Sequence, residues 1–72
     1  MISFTFSKDK KSGFIPTLKI TNYCSKNGLE YFSRYGTTYV NYQCGVYTYS
    51  HYTITPETEN QERVEIYLKK VS

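Results

Sequence analysis

The sequence predicts a single small all-β domain over residues 1–72, with five or six mostly antiparallel strands in a twisted sheet or a small barrel. Three patterns favour this fold. Apolar and polar residues alternate in the opening segment, and again near the C-terminus. Between them, the chain is rich in threonine, valine and tyrosine, with nine tyrosines in 72 residues. A chain of this length holds one hydrophobic core, which predicts one domain.

The opening segment MISFTFS predicts the first strand, because Ile2, Phe4 and Phe6 fall on one side of an extended chain. The polar segment KDKKSG predicts a turn. The following segment FIPTLKITNY places Phe14 and Ile20 in the same phase. We therefore expect a second strand there, paired with the first as a hairpin.

The pair Asn27-Gly28 favours a type I′ turn, in which both central residues need positive φ. The next segment, LEYFSRYG, is ambiguous. Leu29 and Phe32 fit one helical turn, whereas Tyr31 and Tyr35 fit an alternating strand. We expect a strand.

The segment TTYVNYQCGVYTYSHYTIT predicts either one long strand with a bulge at Gly45 or a hairpin that turns at Cys44-Gly45. In the hairpin, Tyr42 opposes Tyr47 and Val40 opposes Tyr49. These four side chains then share one face. The other face holds the polar side of the hairpin, which comprises Tyr39, Asn41, Thr48 and Ser50. His51 is expected to continue the alternation of Tyr47 and Tyr49.

The C-terminal segment has two interpretations. A polar loop over 56–62 followed by a strand over 63–69 fits Val64, Ile66 and Leu68, which recur at every second position. The alternative is an α+β fold with a C-terminal helix over about 56–70, with Thr55 as N-cap and Pro56 at the first helical position. We favour the strand, because a helix would place Ile66 on its charged side.

The composition gives little support to catalysis or to metal binding. His51 is the only histidine, and no motif places a serine or cysteine beside it. Cys24, Cys44 and His51 lack the paired spacing of a zinc site. The glycines are dispersed and form no phosphate-binding loop. We therefore expect a protein that is not an enzyme and has no metal or cofactor.

No segment approaches the ~20 apolar residues of a membrane-spanning helix, and no signal peptide is visible. These features predict a cytoplasmic protein that does not interact with membranes. Cys24 and Cys44 are expected to be reduced, and the alternative of a disulfide between them stays open.

The tyrosines favour a protein-binding module. Tyrosine offers a large apolar ring with a hydroxyl, and loses little entropy on docking. One form that fits is a phage- or mobile-element-type inhibitor that blocks a host or defence protein through a tyrosine-rich β surface. An edge strand can also pair with a strand of the partner, or with a second copy in a homo-oligomer. The predicted binding residues are Tyr42, Tyr47, Tyr49, His51, Tyr39, Tyr35 and Arg34.

Two alternatives stay open. The chain has a net charge of +3, and lysines beside exposed tyrosines are typical of a single-stranded nucleic-acid-binding protein that stacks bases on aromatic rings. The other alternative needs no partner. Aliphatic residues are few, so some tyrosine rings are expected to fill the core.

Overall fold

The computed structural model describes all 72 residues, Met1–Ser72, as five strands and one helix. In chain order they are β1 (Ile2–Asp9), α1 (Pro16–Asn27), β2 (Glu30–Arg34), β3 (Thr37–Tyr42), β4 (Gly45–Pro56) and β5 (Gln61–Lys70). The strands form one antiparallel sheet in the order β1-β5-β4-β3-β2. The predicted antiparallel sheet is thus confirmed. It is open, with β1 and β2 at its two edges, and is not closed into a barrel.

The segment after β1 is a helix, so the prediction of a second strand and a first hairpin there was wrong. Pro16 occupies the start of α1, where its missing N–H costs no helical hydrogen bond. Ile20 and Cys24, four residues apart, lie on one side of the helix and are buried. β1 pairs instead with β5, so that Phe4 lies opposite Ile66.

Gly28 ends α1 and does not form the predicted type I′ turn with Asn27. Its φ of 68° is left-handed, and its N–H donates a hydrogen bond to the Cys24 carbonyl oxygen. This is the usual way in which glycine terminates a helix. Asn27 belongs to the last turn of α1, where its side chain donates to the Tyr23 carbonyl oxygen.

The β3–β4 hairpin is confirmed, but its turn lies one residue earlier than predicted. Gln43 and Cys44 are its central residues, with φ of 47° and 61°. Gly45 begins β4 opposite Tyr42, and Val40 lies opposite Tyr47. A Cβ on Gly45 would lie 3.1 Å from Cε of Lys70 and 3.2 Å from Cε1 of Tyr47, so a larger residue there would have to displace these side chains.

The C-terminal strand is also confirmed, and the alternative of a helix over 56–70 is wrong. β4 and β5 form a long hairpin that turns at residues 57–60. Val64, Ile66 and Leu68 of β5 are all buried. β5 lies between β1 and β4, so both of its edges are hydrogen-bonded.

The core lies between α1 and one face of the sheet. It consists of Ile20, Cys24, Val40, Val64, Ile66 and Leu68. No helix or strand packs on the opposite face, which we call the uncovered face. α1 is the only helix, and it is too short to cross a membrane.

Candidate protein interface

The three tyrosines predicted to lead the interface lie on the face that α1 covers. Tyr42, Tyr47 and Tyr49 are half-buried. Tyr47 and Tyr49 pack against the core. Tyr42 lines an apolar cavity of about 80 Å³ between α1 and the sheet. The prediction that they share one face with Val40 is confirmed, because a register shift of two residues leaves every side chain on its own face.

The alternation predicts that His51 lies beside Tyr47 and Tyr49. Instead, it lies on the uncovered face. The pairing of β4 with β5 passes from Tyr49–Leu68 directly to His51–Tyr67, so Ser50 is an extra residue in a β-bulge. The bulge reverses the side-chain alternation from that point. His51 consequently stacks on Tyr67, with ring centroids 4.5 Å apart and planes 7° apart.

The other predicted residues are Tyr39, Tyr35 and Arg34. Tyr39 lies on the uncovered face and stacks on Phe32, with centroids 5.2 Å apart. Arg34 lies on the same face, with its guanidinium carbon 6.0 Å from the centre of the Phe32 ring. Tyr35 occupies the β2–β3 turn with φ of 53° and is 98% exposed.

Phe32 and Tyr67 therefore join the candidate interface, although the sequence analysis did not select them. Each gains its place from a cross-strand partner, since Phe32 is opposite Tyr39 and Tyr67 is opposite His51. The strand register creates these pairs, and the alternation of residues in the sequence does not reveal that register. The sequence analysis therefore could not select Phe32 and Tyr67.

Carboxylates on the uncovered face are held by hydroxyl donors. Glu65 accepts hydrogen bonds from the Tyr67 hydroxyl at 2.8 Å and from the Ser3 hydroxyl at 2.9 Å. Both bonds lower the pKa of Glu65, and the bond from Tyr67 contributes most. That bond also raises the pKa of Tyr67. Glu57 accepts from Ser7 at 2.7 Å and from Arg63 at 2.9 Å, and its pKa is lowered, chiefly by the Ser7 bond.

The second half of β4 has a free edge. β3 pairs with β4 only as far as Tyr39 opposite Thr48, whereas β4 continues to Pro56. Residues 51–56, HYTITP, thus pair with β5 alone, and we call them the free β4 edge. They contain no Asp, Glu, Lys or Arg.

Every second residue of the free β4 edge directs its backbone groups away from β5. The Glu57 N–H donates to the Gln61 carbonyl oxygen, which marks a hydrogen-bonded pair. Because such pairs alternate along an antiparallel ladder, Tyr52 and Ile54 direct their N–H and C=O groups to the unpaired side. Pro56 falls in the same phase, where a missing N–H breaks no bond to β5.

The side chains next to this edge form an apolar ledge on the α1 side. Tyr52 and Ile54 are each 43% exposed. The Phe14 ring packs edge-on against Tyr52 with centroids 4.9 Å apart. On the other face of the strand are His51, Thr53 and Thr55, which are exposed.

The two outer strands differ from the free β4 edge because charged side chains lie on them or beside them. Lys19 and Lys26 of α1 line a groove with Phe4 and Phe6 of β1, so cations stand beside that edge. β2 has only five residues and carries a charge at each end. Charges are a usual protection of an edge strand, and residues 51–56 carry none, whereas the two charges of β2 are of opposite sign.

The histidine, the cysteines and the carboxylates are not gathered in one catalytic or metal-binding cluster. His51 Nδ1 lies 3.0 Å from the hydroxyl of its neighbour Ser50, and no group of three or more His, Cys, Asp or Glu side chains is placed to hold a metal ion. Both cysteines are free. Burial raises the pKa of the Cys24 thiol, and Cys44 is exposed in the β3–β4 turn.

Comparison with known proteins gives no match to this chain among protein families, curated proteins or solved structures.

Proposed function

We propose that this chain is a small protein-binding module that receives an extended segment of a partner protein along the free β4 edge. One observation carries the proposal: residues 51–56 form an uncharged edge beyond the end of β3. An unpaired strand edge presents a row of donors and acceptors that a strand from another chain can complete.

The edge defines the chemistry of the segment that it binds. The backbone of the partner would hydrogen-bond to the outward N–H and C=O groups of Tyr52 and Ile54, which supplies affinity that is independent of its sequence. Successive side chains of an added strand alternate between the two faces. Those on the α1 side would contact Tyr52, Ile54 and Phe14, and the others would lie beside Thr53. The expected segment therefore alternates apolar and polar residues.

The uncovered face widens this interface. His51 stacks on Tyr67 beside the free β4 edge, so rings are available on the polar side of the bound segment. A module of this kind acts as an inhibitor when the bound segment belongs to the working surface of the partner. That form of the function remains a prediction.

Charge placement gives less support to single-stranded nucleic-acid binding. The uncovered face carries three cations and four carboxylates, namely Arg34, Arg63, Lys69, Asp9, Glu30, Glu57 and Glu65. Lys8 forms a salt bridge with Glu62 on the other face. A strand of phosphates needs a continuous path of unpaired cations beside the rings.

Selection from a displayed library of random short peptides tests the proposal. Isothermal titration of the selected peptides should show that Ile54→Lys weakens binding at least tenfold, because it places an ammonium group on the apolar ledge. Ile54→Pro should also weaken binding, because it removes an outward N–H while keeping every bond to β5. Val71→Lys is the matched control, since Val71 is 46% exposed and lies outside this edge.

The proposal fails if the library gives no binder, or if the selected peptides bind the Ile54→Lys variant as tightly as the original chain. A nuclease-sensitive complex that falls apart as salt rises would favour the nucleic-acid function instead.

A further inference from the structure

The β2 strand forms an outer edge of the sheet whose charges complement one another. All five of its residues, Glu30–Arg34, are exposed. Glu30, Phe32 and Arg34 lie on the uncovered face. Neither Glu30 nor Arg34 has a salt-bridge partner within the chain. An acidic group thus stands at one end of a free edge and a basic group at the other.

Two copies of this strand fit together about a two-fold axis. If two β2 strands pair antiparallel with the axis perpendicular to the sheet, Phe32 lies opposite Phe32 of the second copy. Glu30 then lies opposite Arg34 of the second copy, and the symmetry creates this ion pair twice. A shift of one residue would put opposed side chains on different faces. A shift of two would separate both charge pairs.

We infer that the partner of β2 is a second copy of this chain, joined through Glu30, Phe32 and Arg34 in this register. The five strands of each copy would form one continuous sheet of ten. This homodimer does not depend on the proposed function, because it uses the outer edge of β2 and does not involve residues 51–56 of β4.

Aromatic packing supports the same register. Phe32 already stacks on Tyr39 across the β2–β3 pair. The opposed Phe32 rings would extend this contact into a row of four rings, two from each copy, and aromatic cross-strand pairs stabilise sheets. Arg34 lies near the Phe32 ring at 6.0 Å, so its charge is held on the face where Glu30 of the second copy would stand.

The other outer strand is less suited to self-association. Lys19 and Lys26 stand beside β1, and a two-fold copy would bring like charges together there. Five residue pairs make a small contact in the β2 dimer, well below the ~1,000 Å² typical of a stable interface. We therefore expect a weak dimer, which forms only at high protein concentration.

Charge exchange tests the inference by sedimentation velocity over a series of concentrations up to about millimolar, in ~0.15 M salt, where distant charges are screened. Glu30→Arg and Arg34→Glu should each weaken self-association at least tenfold, because each opposes like charges. An equimolar mixture of the two variants should associate, since each charge at position 30 then meets an opposite charge at position 34. The double variant E30R/R34E should again form a homodimer.

Glu59→Arg is the matched control, because it makes the same charge change in the β4–β5 turn, far from β2. It should self-associate like the original chain, and mixing it with Arg34→Glu should not restore association of the Arg34→Glu variant. Circular dichroism checks that each variant is folded. If one single variant does not fold, E30R/R34E still distinguishes a charge-specific contact from a general charge effect.

The inference fails if the original chain is a monomer throughout the series. It also fails if the single variants self-associate as strongly as the original chain, or if their mixture does not associate. Ile54→Lys separates this dimer from the proposed function, because it should weaken peptide binding at least tenfold and leave self-association intact.

Discussion

Glu65 links two strands of the uncovered face at the scale of single residues. It accepts one hydrogen bond from Ser3 on β1 and another from Tyr67 on its own strand. Both bonds favour the ionised carboxylate, so the pKa of Glu65 is lowered in the folded chain. The unfolded chain lacks these bonds, and its carboxyl titrates near the ordinary value of 4.5.

The sign of this difference predicts how stability changes with pH. A carboxyl with a lowered folded pKa stabilises the fold above its unfolded pKa, and loses that contribution as the pH falls through the folded pKa. Urea unfolding at pH 7 and pH 3 should therefore show a smaller loss for Glu65→Gln than for the original chain. Glu59→Gln is the control, because Glu59 makes no side-chain hydrogen bond, and it should keep the original loss. Equal pH dependence in both variants would contradict the assigned hydrogen bonds.

Individual tyrosines divide between packing and exposure in a way that composition only partly predicts. The scarcity of aliphatic residues correctly indicates that some rings fill the core, as Tyr47 and Tyr49 do. Which rings these are depends on the face that α1 covers. The same pattern of residues would leave them outside if no helix were present.

Among the secondary-structure elements, α1 ends where it does because of Gly28. Its φ of 68° is one that residues with a Cβ adopt at a cost, yet a Cβ there would meet no atom within 4 Å. Gly28→Ala should therefore lower the free energy of unfolding by about 1–2 kcal/mol through the backbone alone. Gly28→Asn should cost less, because asparagine tolerates the left-handed region.

Gly13→Ala is the control for this prediction. Its Cβ would also meet open space, and its φ lies outside the left-handed region. Thermal unfolding followed by circular dichroism should show little change, or a slight gain from the reduced freedom of the unfolded chain. An equal loss in the two alanine variants would mean that the Gly28 conformation is not what ends the helix.

The strands were predictable from sequence, whereas the helix and the bulge were not. β1 and β5 carry alternating apolar residues, which any strand with one buried face requires. α1 buries only Ile20 and Cys24, so its sequence pattern is weak and its stability comes from docking on the sheet. The bulge at Ser50 depends on the pairing of β4 with β5, which local alternation does not record.

The whole molecule is a single sheet with one helix on one face, and this explains why so much of it is open to partners. Its extents are 40 × 21 × 20 Å, and only seven of 72 residues are buried. A chain of this size buries a smaller fraction of its surface than a larger domain does. The uncovered face, the free β4 edge and the β2 edge are consequences of that architecture.

Stability should therefore depend strongly on each core side chain, and Ile66 is the sharpest case. It is fully buried on β5, between Phe4 of β1 and Tyr52 of β4. Ile66→Ala removes packing on both sides and leaves a cavity, so it should cost about 2–5 kcal/mol. Small domains are stable by only about 5 kcal/mol at the low end, so this variant should be largely unfolded or close to it.

Urea unfolding followed by tyrosine fluorescence measures this loss, since the chain has no tryptophan. Ile15→Ala makes the same change at a residue that is 63% exposed, and it should stay within about 0.5 kcal/mol of the original chain. Ile20→Ala removes the same side chain from α1, and should approach the loss at Ile66 if helix and sheet share one core. If Ile20→Ala instead matched Ile15→Ala, α1 would not be held by the sheet, and the face that carries Tyr47 and Tyr49 would be open to partners as well.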